Sequence, residues 1–234
     1  MSIGIEIVNQ SGCKKEIEEI SSIGSLNKYC TFESFSEDQI QNLINLIEGI
    51  LERHPRIKPF HILAHSDIAP KRKLDPGPLF PWEELAIIGI GAWYDNNDYV
   101  LYYDKFNENM PQLEFLQERL RDFGYKIDIT GLNDKQSIAA VRAFQLHFRP
   151  KNYDGYFDAE TSAILQSVDS ESLPERVDAK NRFVYVCSLD RVRDALARDK
   201  GFDLDGYGTL HVVTGQSPDV RRIRLKPLLG LAEG

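Results

Sequence analysis

The chain has 234 residues and a formal net charge of −8, enough length for one or two domains with cores of their own. Residues 1–168 carry 17 Lys and Arg against 25 Asp and Glu, while residues 169–234 carry 11 against 11, so the acidic excess lies in the first part and disfavours a nucleic-acid footprint there. No apolar run approaches the roughly 18 residues of a membrane span, and the first residues lack the basic and apolar regions of a secretory signal, so no span and no leader are expected.

In chain order, Ser2 to Asn9 alternates, with Ile3, Ile5 and Ile7 on one face and Gly4, Glu6 and Val8 on the other, which predicts a strand. Glu6 is then either an edge residue in water or a carboxylate kept in a cleft, and the pattern alone favours the edge. Residues 10–35 are polar and weakly periodic and read as loop. Cys13, Cys30 and Cys187 lie far apart without C-x-x-C spacing, which indicates neither a disulfide framework nor a thiolate metal site and predicts ordinary thiols. Ser36 with Gln39 forms a capping-box pattern, with Phe35 and Ile40 placed as a hydrophobic staple, so a helix starts there. Its stripe of Ile40, Leu43, Ile44, Ile47 and Leu51 marks a core face that ends near His54 and Pro55.

Phe60 to Ala64 predicts a second strand that delivers His65 at its C-terminal end. The following loop holds His65, Lys73 and Asp75 and is stiffened by Pro70, Pro76 and Pro78. Catalytic zinc takes His nitrogen and Asp oxygen at about 2.0–2.2 Å and keeps a position open, which makes His65 and Asp75 candidate ligands. Lys73 could then set a positive charge beside the oxyanion formed as water attacks an amide carbonyl. Residues of these types in a loop are, on spacing alone, more often plain surface groups. His61 alternates onto the same face as His65, but four residues of strand span about 13 Å, too far for two ligands of one ion. His54, at a helix end, reads as a surface residue or a dipole partner. Glu83 to Ile90 predicts a helix packed on this domain, and residues 91–108 a polar and aromatic connection.

Residues 111–168 predict three helices: one with Leu113, Leu116, Leu120 and Phe123 that ends at Gly124, one from Asn133 to Phe148, and a short third. His147 reads as a helix-surface residue. After Asp169 isoleucine recurs only at Ile223 and arginine becomes frequent. A helix over 189–198 and a hairpin over 205–213 turning at Tyr207 and Gly208 are expected. Arg221, Arg222, Arg224 and Lys226 could bind an anion, though a solvated tail is the commoner meaning of such a run.

The run H-S-D-I-A-P-K-R-K-L-D-P-G-P-L-F-P-W, from His65 through Trp82, closely resembles the signature of zinc-dependent N-acetylmuramoyl-L-alanine amidases, the family of bacterial muropeptide amidases and peptidoglycan recognition proteins. The resemblance implies that His65 and Asp75 bind zinc and that Lys73 stabilises the transition state. S-I-G-I-E-I-V-N resembles the family's central strand, which implies that Glu6 faces the metal and acts as base on the attacking water, reversing the edge reading. In relatives that strand follows a segment bearing the first zinc-binding His. The chain is therefore expected to be the C-terminal part of an amidase domain, with one of three ligands and several strands absent and with activity impaired.

L-Q-E-R-L-R-D-F-G-Y, A-V-R-A-F-Q-L-H-F and D-G-Y-F-D-A-E-T resemble the peptidoglycan-binding domain found beside many wall hydrolases. Val141, Phe144 and Ile164 are core positions in that reading, and contacts to the wall would come from Tyr153, Asp154 and Tyr156. The expected architecture is a partial α/β amidase domain with a mixed sheet over 1–107, a small three-helix peptidoglycan-binding domain over 108–168, and an unassigned appendage over 169–234. The expected partner is peptidoglycan or a muropeptide, with no nucleic acid, and the family type works in the cell envelope or periplasm. A non-catalytic wall-binding protein or a decayed amidase fragment is the alternative.

Overall fold

A computed structural model of the chain describes residues 2–15, 23–168, 183–189, 208–213 and 221–224. Its first half is organised on β1 (Ser2–Val8), which pairs in parallel with β5 (Phe183–Leu189) on one side and β6 (Gly208–Val213) on the other. The sheet has five strands in the order β4-β5-β1-β6-β7, where β4 is Ile62–Ala64 and β7 is Arg221–Arg224. β4 is parallel to β5, and β7 is antiparallel to β6.

Alternation along β1 decides what each face does. Ile3, Ile5 and Ile7 are buried together with Val184, Val186, Ile62 and Ala64 against Leu43, Ile47 and Ile50 of α2 (Glu37–Arg53). The opposite face carries Gly4, Glu6, Tyr185 and Cys187, all buried as well. Burial on both faces is the usual condition of a parallel strand, and it corrects the edge reading of Glu6, which is only 2% exposed. Strands of the C-terminal stretch, unassigned from sequence, flank β1 on both sides.

α2 begins as its sequence pattern predicts. Ser36 Oγ accepts from the Gln39 backbone N–H at 3.3 Å, and Gln39 Oε1 accepts from the Ser36 N–H at 3.0 Å, so two otherwise orphaned donors are satisfied. Gln39 also donates to the Val8 carbonyl, fastening the helix to the end of β1. His54 is the C-cap, its N–H on the Ile50 carbonyl at 2.9 Å. Residues 10–35, expected as loop, hold α1 (Ile23–Tyr29) and a pair of two-residue strands, β2 (Gly12–Cys13) and β3 (Cys30–Thr31). Cys13 and Cys30 face each other across that pair in a disulfide, where the sequence predicted free thiols.

After α3 (His65–Ile68) and α4 (Trp82–Ile87), the chain enters a helical unit made of α5 (Asn96–Glu108), α6 (Leu113–Asp122), α7 (Lys135–Phe148) and α8 (Ala159–Ser167). The three expected helices are present, with Asp134 rather than Asn133 as the N-cap of α7. α5 replaces the expected connection. Its N-cap Asp95 accepts from the Asn97 and Asp98 N–H groups at 2.8 and 3.0 Å, and the Asp95 N–H donates to the Ser167 carbonyl at 3.0 Å, so the helix packs along α8. Gly124 ends α6 at φ +113, a conformation that favours glycine. Phe123, Tyr125, Phe144, Phe148, Ile164 and Leu165 form the core.

Two buried carboxamides tie the loops of this unit down. Gln117 accepts from the Thr130 and Gly131 N–H groups and donates to the Leu132 carbonyl and to Ser137 Oγ. Gln145 accepts from the Gly155 N–H at 2.7 Å and donates to the Tyr156 carbonyl at 2.9 Å. The Ser137 backbone N–H also holds the Asp134 carboxyl below its ordinary pKa.

The two halves meet at Asp67. Its carboxylate accepts from the Ala64 backbone N–H at 2.9 Å, pairs with His147 Nδ1 at 2.7 Å and receives the Tyr125 hydroxyl. His147 is 1% exposed and stacks on Trp82 with centroids 4.0 Å apart, which corrects the helix-surface reading. α7 lies between α3 on one side and the helical core on the other, so it has little solvent face to offer.

Candidate active site

β4 ends at Ala64, and the next residue opens the loop that carries the predicted metal ligands. The loop folds back on itself. The Ser66 N–H donates to the Asp75 carbonyl at 3.0 Å, and the Ala69 and Lys73 N–H groups donate to the His65 and Ala69 carbonyls, each at 3.0 Å. These bonds bring His65 Nδ1 and Asp75 Oδ2 to 2.9 Å, with side chains 17% and 12% exposed. One edge of the pair therefore reaches solvent while the rest is enclosed.

β5 supports the pair from the sheet. The Ser188 N–H donates to Asp75 Oδ2 at 3.3 Å, and the Tyr185 ring lies 5.5 Å from the His65 ring, centroid to centroid. Tyr185 in turn needs Gly4, because a Cβ there would sit 2.7 Å from its hydroxyl oxygen. Glu6 is directly opposite Cys187 in the β1 and β5 register. One ligand atom each from His65, Asp75 and Cys187 lies within 4.8 Å of the others.

The electrostatics reflect the crowding of acids at this place. Burial pushes the Cys187 thiol well up, the Asp75 and Glu6 carboxylates push it further, and the Lys73 ammonium opposes them. Burial likewise raises the Tyr185 phenol, with Cys187, Glu6 and Asp75 adding to it. Lys73, half-buried, is thus close enough for its charge to be felt at the thiol. Of the four residues singled out from sequence, His65 and Asp75 meet directly, Glu6 is the register partner of the neighbouring Cys187, and the charge of Lys73 is felt at that thiol. His61 is buried elsewhere in the local structure, its Nδ1 accepting from the Lys58 N–H at 2.9 Å.

Sequence reading missed Tyr185 and Cys187. Val184 and Val186 alternate with them along β5, a period-2 signal inside a stretch otherwise low in isoleucine. Of the proposed wall-contacting loop residues, Tyr156 is 43% exposed. Tyr153 packs edge-on against Phe32 at 6.1 Å, and Asp154 accepts from the Tyr156 N–H at 3.0 Å and from Gln145 Nε2 at 3.3 Å. Arg221, Arg222 and Arg224 lie on β7, whereas Lys226, Tyr207 and residues 190–198 fall outside the described residues.

Comparison with known proteins adds identity to this geometry. Residues 1–78 match the family model described as N-acetylmuramoyl-L-alanine amidase, and residues 109–165 match that of a putative peptidoglycan binding domain. The chain is 42% identical over 168 residues to the N-acetylmuramoyl-L-alanine amidase AmiD of Escherichia coli, a match covering 71% of this chain and 56% of AmiD. The crystal structure of AmpDh3 from Pseudomonas aeruginosa in complex with an anhydromuramic pentapeptide superposes with a TM-score of 0.64 at 40% identity, covering 74% of this chain and 63% of that one. E. coli AmiD in complex with anhydro-N-acetylmuramic acid-L-Ala-D-gamma-Glu-L-Lys gives 0.52 at 41% identity, covering 59% and 54%. The chain spans little more than half the length of the first of these relatives. Residues 1–78 are thus similar to the N-acetylmuramoyl-L-alanine amidase family, and residues 109–165 to a putative peptidoglycan binding domain.

Proposed function

We propose that the chain is a zinc-dependent hydrolase of the amide joining the lactyl group of N-acetylmuramic acid to L-alanine in peptidoglycan or muropeptides, acting in the cell envelope. The observation that carries this reading is the His65 and Asp75 pair at 2.9 Å, backed by the Ser188 N–H and bordered by Glu6 and Lys73. An imidazole nitrogen and a carboxylate oxygen converging where both side chains stay partly exposed are the donor types of a catalytic zinc. His65 and Asp75 would hold the ion, which supplies Lewis acidity at the carbonyl oxygen and makes water a nucleophile near neutral pH.

The remaining work falls to the chain's own groups. Glu6, enclosed at 2% exposure, takes a proton from the attacking water and returns one to the leaving amine. The Lys73 ammonium offsets charge growing on the carbonyl oxygen. The carbon–nitrogen bond then breaks to give a muramic carboxylate and an L-alanine-headed peptide. Lys73→Met is expected to lower kcat by about 10²–10³-fold, the usual cost of one oxyanion donor. Zinc content should be unchanged, and a variant that loses metal in parallel with rate would assign Lys73 to metal retention instead.

The match over residues 109–165 favours a second role, anchorage to the wall. Tyr156, the exposed one among Tyr153, Asp154 and Tyr156, is the leading candidate for contact with the glycan or stem peptide. Full chain sedimented with insoluble peptidoglycan tests this. Retention that survives chelation supports a wall-binding function separate from hydrolysis, and absence of retention removes it.

A further inference from the structure

We propose that Cys187 is a third protein ligand of the metal held by His65 and Asp75, so that the C-terminal strand β5 completes the centre. The inference rests on the zinc reading above and extends it to a residue outside the segment that matches the amidase family.

The sheet register makes the placement specific. Glu6 of β1 pairs with Cys187, and Ala64 of β4 pairs with Val186, one residue earlier on β5. β5 therefore runs between the strand bearing Glu6 and the strand that delivers His65, and the row beyond Val186 sets Cys187 level with both. Alternation puts Val184 and Val186 into the apolar core and turns Tyr185 and Cys187 to the other face. There the donor atoms of His65, Asp75 and Cys187 lie within 4.8 Å of one another. Donors on one tetrahedral zinc sit about 3.3–3.8 Å apart, given Zn–S near 2.3 Å and Zn–N near 2.0 Å, so a small side-chain movement suffices.

A buried unpaired cysteine most often acts as a small hydrophobe. The surroundings of Cys187 do not suit that role, because donor atoms of His65 and Asp75 lie within 4.8 Å of its sulfur and Glu6 is its register partner on β1. Its thiol donates to the Ile5 carbonyl at 3.4 Å, and metal binding would release that proton to solvent as the thiolate coordinates. Charge also balances. Asp75 and the thiolate neutralise a divalent ion, leaving Glu6 and Lys73 to offset each other. The Ser188 N–H on Asp75 orients a second donor from the same strand.

The test uses the full chain, wild type and Cys187→Ser, with zinc or cobalt alone as probe. Cobalt-loaded wild type is expected to show a near-ultraviolet sulfur-to-cobalt charge-transfer band together with tetrahedral visible bands. Cys187→Ser, with its fold checked by thermal melting, should lose that band and bind zinc at least about 100-fold more weakly, since outer-shell partners alone are worth 10–100-fold. Wild type that binds cobalt through His65 without a sulfur band would overturn the Cys187 assignment and leave the zinc reading standing. Cys187→Ser with wild-type affinity would do the same. Wild type that takes up neither metal would overturn both.

Discussion

Asp75→Ala is expected to remove stoichiometric zinc and to lower amide hydrolysis by at least about 10³-fold, on the scale of losing Lewis-acid activation of water. The carboxylate holds His65 Nδ1 at 2.9 Å and accepts the Ser188 N–H at 3.3 Å, and under the proposed function it would also offer an oxygen to the metal. Truncation therefore frees the imidazole, exposes a backbone donor and empties a ligand position together. Asp75→Asn keeps an acceptor for Ser188 and separates these effects, because a neutral amide is a poor zinc donor. It should fold like wild type while retaining little metal. Metal content by mass spectrometry and peptide release from a muropeptide read the two variants. An Asp75→Ala protein with full zinc and full rate would place the chemistry elsewhere.

The second large effect is on stability. Asp67→Ala should destabilise the chain by several kcal/mol, because each buried donor left without its acceptor costs about 1–3 kcal/mol. Asp67 is nearly enclosed, with its side chain 5% exposed and that of His147 at 0%. Its loss would leave the Ala64 N–H, the Tyr125 hydroxyl and the His147 ring without their shared acceptor. The consequence reaches the site because Asp67 lies in α3, two residues beyond His65. Asp67→Asn, which can still accept from Ala64, is expected to recover part of the difference in urea unfolding. A variant as stable as wild type would show that the contact between the halves contributes nothing.

What could be read from the chain alone divides by the range of the interaction. The capping box at Ser36 and Gln39, the strand through Ile3, Ile5 and Ile7 and the three helices of residues 111–168 are local patterns, and each stands where periodicity put it. The loop from His65 to Asp75 was singled out by its resemblance to the amidase signature, since spacing alone favoured plain surface groups, and local hydrogen bonds close it. The features that escaped depend on distant partners. Cys187 meets Glu6 only through a parallel pairing of β1 with β5, and no local rule forecasts which strand will insert. His147 looked like a surface residue because periodicity cannot reveal that a second domain covers its helix. Cys13 and Cys30 needed the β2 and β3 pairing to become neighbours. α5 was missed because its tyrosines and acids give a weak apolar stripe, although Asp95 ahead of Asn97 and Asp98 is a usable N-cap signal.

The most direct measurement is peptide release by the purified full chain from an N-acetylmuramoyl-L-alanyl peptide, followed before chelation, after chelation and after zinc is restored. The account predicts cleavage at the muramic amide alone, abolished by the chelator and recovered with zinc. Zinc-replete protein that leaves the amide intact, or cleavage indifferent to the chelator, would contradict it.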